Sequence, residues 1–166
     1  MNYVFDTSPL IYLIEKWRLA DKLLQFSLTN KLYIPTKVKG EFLEGSMASP
    51  DVLALDEIFS VITVDLDRSL LPYFNFDSSD GAIWVISHAR RNPDCCCVID
   101  EKFGRNICSD LSVNCIGSIG IVIELKKADL LSSEDLLDIK GRIRKSKFYC
   151  TEELLSELDV YIGHWK

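Results

Sequence analysis

Four acidic residues of this sequence stand where carboxylates could be gathered at one place. Asp6 and Asp100 each follow directly on a short apolar run, Tyr-Val-Phe and Cys-Val-Ile respectively. Asp80 falls in the first turn of a predicted helix, and Glu41 lies about one and a half turns into another. If the four converge, their mutual repulsion is relieved most economically by a divalent cation, and Mg²⁺ or Mn²⁺ suits an all-oxygen site.

Such an ion would provide the chemistry of phosphodiester hydrolysis. It lowers the pKa of a bound water, aims that water at phosphorus and stabilises the charge that builds on the phosphoryl oxygens. One ion suffices for this, and two ions about 4 Å apart would serve the attacking and the leaving oxygen separately. The pattern therefore predicts a nuclease in which these four acids are both metal ligands and catalytic groups.

Each acid also has a purely structural interpretation. An aspartate after a strand is often a helix cap or a turn former, as Asp6 could be, and Asp100 with Glu101 could form a capped turn. Asp80 could complement a helix dipole, and Glu41 could lie on a solvated helix face. Taken singly, the residues leave these alternatives open, and it is their order and context that favour a metal site.

The elements that must position these acids alternate along the chain. Short apolar strands are predicted at 2–5, 32–34, 61–64, 96–99 and 113–116. Helices are predicted at 9–17, 20–28, 36–45, 53–59, 80–90, from after Asp100 to about 109, and at 117–128, 133–145 and 151–161. This alternation predicts an α/β fold, a parallel sheet covered by helices on both faces, whose ligands bind beyond the carboxyl ends of the strands.

Loops and caps complete this prediction. Segment 46–50 is expected to be a loop and 66–77 to be irregular, with three aromatics at 73–76 that either seal the core or stack on bases. Thr7 or Ser8 is predicted to cap the first helix, and Ser78 or Ser79 the helix that begins at Asp80.

Composition limits the classes of function. A chain of 166 residues, 48% hydrophobic, is expected to form one domain with a real core. A formal net charge of −6 argues against a clamp for duplex DNA, but not against a nuclease whose acids bind metal. Lys102 and Arg105 follow Asp100 and are the predicted contacts to phosphates of a nucleic-acid substrate, whereas Arg90 and Arg91 are expected to compensate a helix dipole far from the site.

The cysteines and the hydropathy pattern point to a reducing cytoplasm. Six cysteines contain no CxxC pair, so a structural zinc site is not expected, and Cys95, Cys96 and Cys97 read as reduced thiols inside a strand. The chain opens directly on a predicted strand and has no apolar stretch of membrane-spanning length, so we expect neither a signal peptide nor a membrane location.

The four acidic stretches in succession resemble the PIN domain family, in the prokaryotic branch that includes toxins of toxin–antitoxin pairs. They read Val-Phe-Asp6-Thr-Ser-Pro-Leu-Ile, Ile-Pro-Thr-Lys-Val-Lys-Gly-Glu41, Asp80-Gly-Ala-Ile-Trp-Val-Ile-Ser-His-Ala and Val-Ile-Asp100-Glu-Lys-Phe-Gly-Arg. The match runs from residue 2 to about 130. It implies a Rossmann-like sheet, metal-dependent cleavage of single-stranded RNA with Mg or Mn, a homodimer and inhibition by a small antitoxin.

The resemblance also implies residue roles. The four acids match the family's metal-binding acids, and Thr7 or Ser8 matches the small polar residue beside the first of them. Glu101 occupies a position where many relatives have a second aspartate, so it is a secondary candidate ligand. Arg105 occupies a position where several relatives have arginine.

The C-terminal third resembles the family less clearly. We interpret the chain as a single PIN-like domain over 1–166, with a core at about 1–130 and a helical extension at 131–166. The extension would cover the sheet edge or form a dimer or antitoxin surface, and most of its leucines are expected in the core. Its basic run at 140–147 is interpreted as a solvated helix face, with an RNA track as the alternative.

Other functions remain as alternatives. The fold could serve as a non-catalytic interaction module, or the nuclease could have a role other than that of a toxin. A phosphotransfer enzyme is disfavoured, because an Asp-x-Asp motif would need an aspartate where Ser8 stands.

Overall fold

A computed structural model describes residues 1–45 and 55–163, and a five-stranded parallel sheet lies at the centre of this part of the chain. The strand order is β3–β2–β1–β4–β5, and every neighbouring pair is parallel. The strands are β1 (Asn2–Phe5), β2 (Lys31–Pro35), β3 (Ser60–Ile62), β4 (Cys95–Val98) and β5 (Cys115–Ile116). The predicted parallel α/β architecture is confirmed.

Helices connect and cover these strands. They are α1 (Thr7–Leu10), which continues as a π-helix (Ile11–Lys16), α2 (Ala20–Ser27), α3 (Thr36–Gly45), α4 (Leu55–Ile58), a 3₁₀ helix (Arg68–Phe74), α5 (Gly81–Arg91), α6 (Lys102–Asp110), α7 (Ser118–Lys127), α8 (Ser133–Lys145) and α9 (Glu152–Gly163). The prediction that 66–77 is irregular is wrong in part, because the 3₁₀ helix occupies its middle. The loop predicted at 46–50 and the start of the helix predicted at 53 lie outside the described residues.

Strands β1 and β4 are buried on both faces of the sheet, which explains their continuous apolar sequences. Val4, Phe5 and every residue of β4 are buried, including the three adjacent cysteines, whose thiols are free. The register pairs Phe5 with Val98, and the Asp6 N–H donates to the Val98 carbonyl oxygen at 3.0 Å. The ends of β1 and β4, and the acids that follow them, therefore lie at the same edge of the sheet.

The C-terminal helices join the same hydrophobic core. Helix α9 packs against α8 and α7, and Leu136, Ile139, Leu155 and Leu158 are buried as predicted, whereas Leu137 is exposed. The predicted helical extension is thus present.

The basic run of α8 mostly serves packing of the chain on itself. The Lys140 Nζ atom lies 2.6 Å from Asp159, and an Arg144 Nη atom lies 3.4 Å from Glu152. Both acids belong to α9, so the two basic side chains connect α8 to α9. Arg142 donates to the Trp17 carbonyl oxygen at 2.7 Å. None of the helices in the described ranges is long and apolar enough to cross a membrane.

Candidate metal centre

Asp6 is the buried centre of the acidic edge. It follows β1 directly and caps α1 itself, because its Oδ1 atom accepts a hydrogen bond from the Thr7 N–H at 2.8 Å. The prediction that Thr7 or Ser8 caps this helix is therefore wrong. Only 6% of Asp6 is exposed, and the pKa of its carboxyl is raised from 3.8 to about 7. Burial is the largest cause of this shift, the Thr7 hydrogen bond opposes it, and the nearby acids Asp80, Glu101 and Glu41 add to it.

Glu41 is brought to Asp6 by helix α3, which starts where β2 ends. Its Oε2 atom accepts a hydrogen bond from the Thr7 hydroxyl at 2.7 Å, and its Oε1 atom lies 3.8 Å from the Lys37 ammonium. Thr7 thus holds both carboxylates, Asp6 through its backbone N–H and Glu41 through its hydroxyl. The predicted positioning role of Thr7 fits this geometry.

Gly81 brings a third element to the same point. A Cβ atom on this residue would lie 2.9 Å from Asp6 Oδ1 and 2.9 Å from Glu41 Oε2, so the two oxygens converge on the start of α5. Real Cβ atoms essentially never lie this close to other atoms, so an alanine here would force the two carboxylates to shift. Gly81 was not among the residues predicted for the site, although a glycine directly after an acid at a helix start was a usable signal.

Asp80 caps the helix that Gly81 begins. Its Oδ1 atom accepts a hydrogen bond from the Ala82 N–H at 2.9 Å, so the prediction that Ser78 or Ser79 is the cap is wrong. Ser79 is held instead by Asp77, to which it donates from its backbone and its hydroxyl. Asp80 is exposed, and its charge acts on the carboxyl of Asp6.

Asp100 lies at the same edge but makes different contacts. Its Oδ1 atom accepts from the Ser118 N–H at 2.7 Å, and its Oδ2 atom accepts from the Ser118 hydroxyl at 2.6 Å. Burial raises the pKa of Asp100, while the Ser118 hydrogen bonds and the Arg105 guanidinium lower it. This carboxylate fixes the start of α7, and it is the neighbouring Glu101 whose charge reaches Asp6.

The two acids also differ in their distance from the strand ends. Asp6 directly follows the last residue of β1, whereas Ile99 separates Asp100 from the last residue of β4, Val98. The sequence pattern predicts that both acids lie at one edge of the sheet, but not which hydrogen bonds each carboxylate makes there.

The other predicted site residues line a cavity next to the acids. This cavity has a volume of about 830 Å³ and is bordered by Ser8, Asp100, Glu101, Lys102 and Arg105, among others. It is also lined by the segment between α8 and α9.

The two arginines that end α5 act elsewhere. Arg90 lies 2.6 Å from Asp67, and Arg91 donates to the backbone carbonyls of Asp65 and Leu66. Both side chains tie the segment after β3 to the end of α5, at the opposite end of that helix from Gly81.

The site offers oxygen donors of the kind that hard divalent cations prefer. Among the residues that the structure describes, no three acidic, histidine or cysteine side chains are already close enough to enclose an ion. The residues nevertheless fit one. Asp6 and Glu41 converge on a point where a Cβ atom on Gly81 would crowd both oxygens, and a cation would stabilise the ionised form of Asp6, whose pKa is raised by burial and by three neighbouring acids.

A parallel sheet with carboxylates gathered beyond the ends of β1 and β4 defines the class as a Rossmann-like α/β protein with an acidic site. A family model described as a PIN domain matches residues 2–161, and the chain belongs to the PIN domain family. No curated protein and no solved structure matches the chain. PIN domains are generally nucleases and usually use divalent metal ions. The matched range also covers most of the helices beyond residue 130, where the resemblance in sequence weakens.

Proposed function

We propose that this protein is a metal-dependent endoribonuclease that cleaves single-stranded RNA with Mg²⁺ or Mn²⁺. The observation that carries the proposal is the convergence of Asp6 Oδ1 and Glu41 Oε2 at Gly81, with the charges of Asp80 and Glu101 around a buried carboxyl of raised pKa. Four carboxylates collected at one edge of a fold are costly without a cation.

The proposed roles follow from the contacts. Asp6, Glu41, Asp80 and Glu101 would hold the first ion, which when bound supplies an activated water and stabilises charge on the phosphoryl oxygens. Thr7 orients Asp6 and Glu41 through its two hydrogen bonds. Asp100 fixes α7 through Ser118, and its position at the rim of the cavity makes it a candidate ligand for a second ion.

Two features favour single-stranded RNA as the substrate. The cations Lys102 and Arg105 border the cavity beside the acids, where they can contact phosphates on either side of the scissile bond. The chain as a whole is acidic, with a net charge of −6, so it lacks the excess of positive charge with which proteins usually hold a duplex.

A cleavage assay tests the proposal directly. Wild-type protein with Mn²⁺ should cut a fluorescent single-stranded RNA, chelation should stop the reaction, and Asp6→Asn should lower the rate by at least about 100-fold. Asp110→Asn is the matched control, because Asp110 is exposed and is the last residue of α6, whereas Glu101 precedes the first residue of that helix. A wild-type protein that cuts nothing with metal present would favour the non-catalytic module instead.

The biological role is a separate proposal. We propose, from the resemblance to the toxin branch, that the nuclease acts as a toxin, forms a homodimer and is inhibited by a small antitoxin. Growth arrest on expression that is abolished by Asp6→Asn would support this role. Active protein that leaves growth unchanged would favour a nuclease with another role.

A further inference from the structure

The cavity beside the acids is also lined by a segment that belongs to no strand or helix. This segment is Lys147–Cys150, which follows α8 and precedes α9. Asp100 and Glu101 line the same cavity, so anything in it lies next to the candidate metal centre. Its volume of about 830 Å³ falls in the range of about 300–1,000 Å³ that is usual for ligand clefts.

We propose that this segment, called the 147–150 strap below, forms a nucleobase subsite in which Tyr149 stacks on an unpaired base next to the scissile phosphate. The proposal rests on the proposed ribonuclease function and adds a substrate contact from the C-terminal extension. The base is the part of single-stranded RNA that an exposed aromatic ring holds, and a duplex does not offer it.

The strap is anchored by one aromatic residue. The Phe148 ring packs edge to face against Tyr12 at 4.8 Å and against Trp17 at 5.1 Å between ring centroids. Tyr12 lies on the helix that begins at Thr7, beside Asp6, and Arg142 binds the Trp17 carbonyl oxygen. The packing of Phe148 therefore fixes the strap relative to the metal centre.

Anchoring of Phe148 leaves its neighbours free to contact a ligand. The Tyr149 side chain is 90% exposed although it lines the cavity, and within the described ranges its hydroxyl has no hydrogen bond. A tyrosine that is exposed and also lines a cavity is suited to stacking.

Positive charge lies beside this ring. Lys147 on the strap and Lys102 on α6 both line the cavity, and neither side chain has a hydrogen bond or ion pair with any described residue. Arg105 lines it as well. Cations and an exposed aromatic ring that line the same cavity match the phosphates and the base of a nucleotide, whereas an acidic peptide offers only the charges.

Binding can be measured without cleavage in the full-length Asp6→Asn protein. The probe is a fluorescein-labelled single-stranded RNA octamer with Mg²⁺ present, and the readout is anisotropy. Tyr149→Ala should weaken binding by about 10- to 100-fold, and Tyr149→Phe, which keeps the ring, should bind within about twofold of the parent. Leu28→Ala is the control, because Leu28 is an exposed apolar residue that does not line the cavity, and it should leave binding unchanged.

Abasic substitutions identify the base contact. Removing the base at one position of the octamer should weaken binding to the parent protein by a similar factor but have little effect on Tyr149→Ala, since the two changes remove the same contact. Lys147→Ala should reduce the slope of log affinity against log salt by about 0.7.

Two results would overturn the subsite. The first is equal affinity of Tyr149→Ala and its parent for the octamer, and the second is competition by a polyglutamate peptide as effective as that by unlabelled RNA, which would assign the strap to a peptide. These outcomes are distinct from failure of the nuclease proposal. RNA binding that depends on Tyr149 but occurs without cleavage would support the subsite and contradict the nuclease proposal. Cleavage by an enzyme whose RNA affinity is unchanged in Tyr149→Ala would support the nuclease and contradict the subsite.

Discussion

The Oδ1 atom of Asp6 lies 2.9 Å from the position that a Cβ atom would take on Gly81. Gly81→Ala should therefore displace the carboxylates of Asp6 and Glu41 without disturbing a helix that tolerates alanine well. We expect Mn²⁺ affinity to fall by about 10- to 100-fold, as is usual when the groups around metal ligands are disturbed. Isothermal titration with Mn²⁺ measures this effect.

Gly141→Ala is the matched control for this substitution. Gly141 lies inside α8, and a Cβ there would meet nothing within 4 Å. This variant should bind Mn²⁺ like the wild type and gain about 1 kcal/mol in free energy of unfolding from helix propensity. Equal Mn²⁺ affinity in both variants would show that the oxygens near Gly81 do not hold the ion.

Because the pKa of Asp6 is raised, we expect the ionised carboxylate to lower the free energy of unfolding of the metal-free protein. The carboxyl titrates near 3.8 in the unfolded chain and near 7 in the folded one, so the folded state holds its proton more tightly. The contribution of Asp6 to the free energy of unfolding should therefore be most favourable below about pH 4, fall as the pH rises to about 7, and change little above that.

Asp6→Asn removes this dependence while keeping an oxygen that can accept the Thr7 hydrogen bond. At pH 8 without metal, the variant should be more stable than the wild type by on the order of 2 kcal/mol in urea unfolding, and the difference should vanish near pH 4. Mn²⁺ should stabilise the wild type and not the variant. Asp110→Asn, an exposed control, should follow the wild type throughout, and a less stable Asp6→Asn at pH 8 would contradict the assigned burial of charge.

Sequence and structure agree where one physical rule decides the outcome. Continuous apolar runs before Asp6 and Asp100 require strands buried on both faces, and parallel strands place both acids at one edge. They disagree where the outcome depends on register or on competition among neighbours. Several polar residues near each helix start could cap it, and only the folded backbone decides that Asp6 and Asp80 do so.

The position of the 147–150 strap could not be predicted from the sequence either, because it depends on contacts between residues far apart in the chain. Phe148 contacts Tyr12 and Trp17 across more than a hundred residues of sequence, and no local pattern predicts that pairing. The aromatic segment after β3 was left open between core and base stacking. The structure divides it, because Phe74 is buried whereas Tyr73 and Phe76 are exposed.

Thr7 should matter for metal binding more than for folding. Thr7→Val keeps the shape and the N–H that binds Asp6 but removes the hydroxyl bond to Glu41 Oε2. We expect about tenfold weaker Mn²⁺ binding and a loss of about 1 kcal/mol in free energy of unfolding. Titration calorimetry and urea unfolding measure the two effects. Thr63→Val, at an exposed threonine without a hydrogen bond among the described residues, should change neither.

Asp100 and Glu101 are adjacent acids for which the structure predicts opposite effects on stability and metal binding. Asp100→Ala leaves the Ser118 N–H and hydroxyl without their partner at the start of α7, so the free energy of unfolding should drop by about 1–3 kcal/mol even without metal.

Glu101→Ala changes an exposed side chain and should alter the metal-free stability by no more than about 0.5 kcal/mol. Because the charge of Glu101 acts on Asp6, this second variant should weaken the first equivalent of Mn²⁺ by about tenfold and lower the pKa of Asp6. Urea unfolding and calorimetry on the two variants separate these effects. A stable Asp100→Ala protein that loses its first Mn²⁺ equivalent, beside a Glu101→Ala protein that binds normally, would give the primary ligand role to Asp100 and overturn the division of labour proposed above.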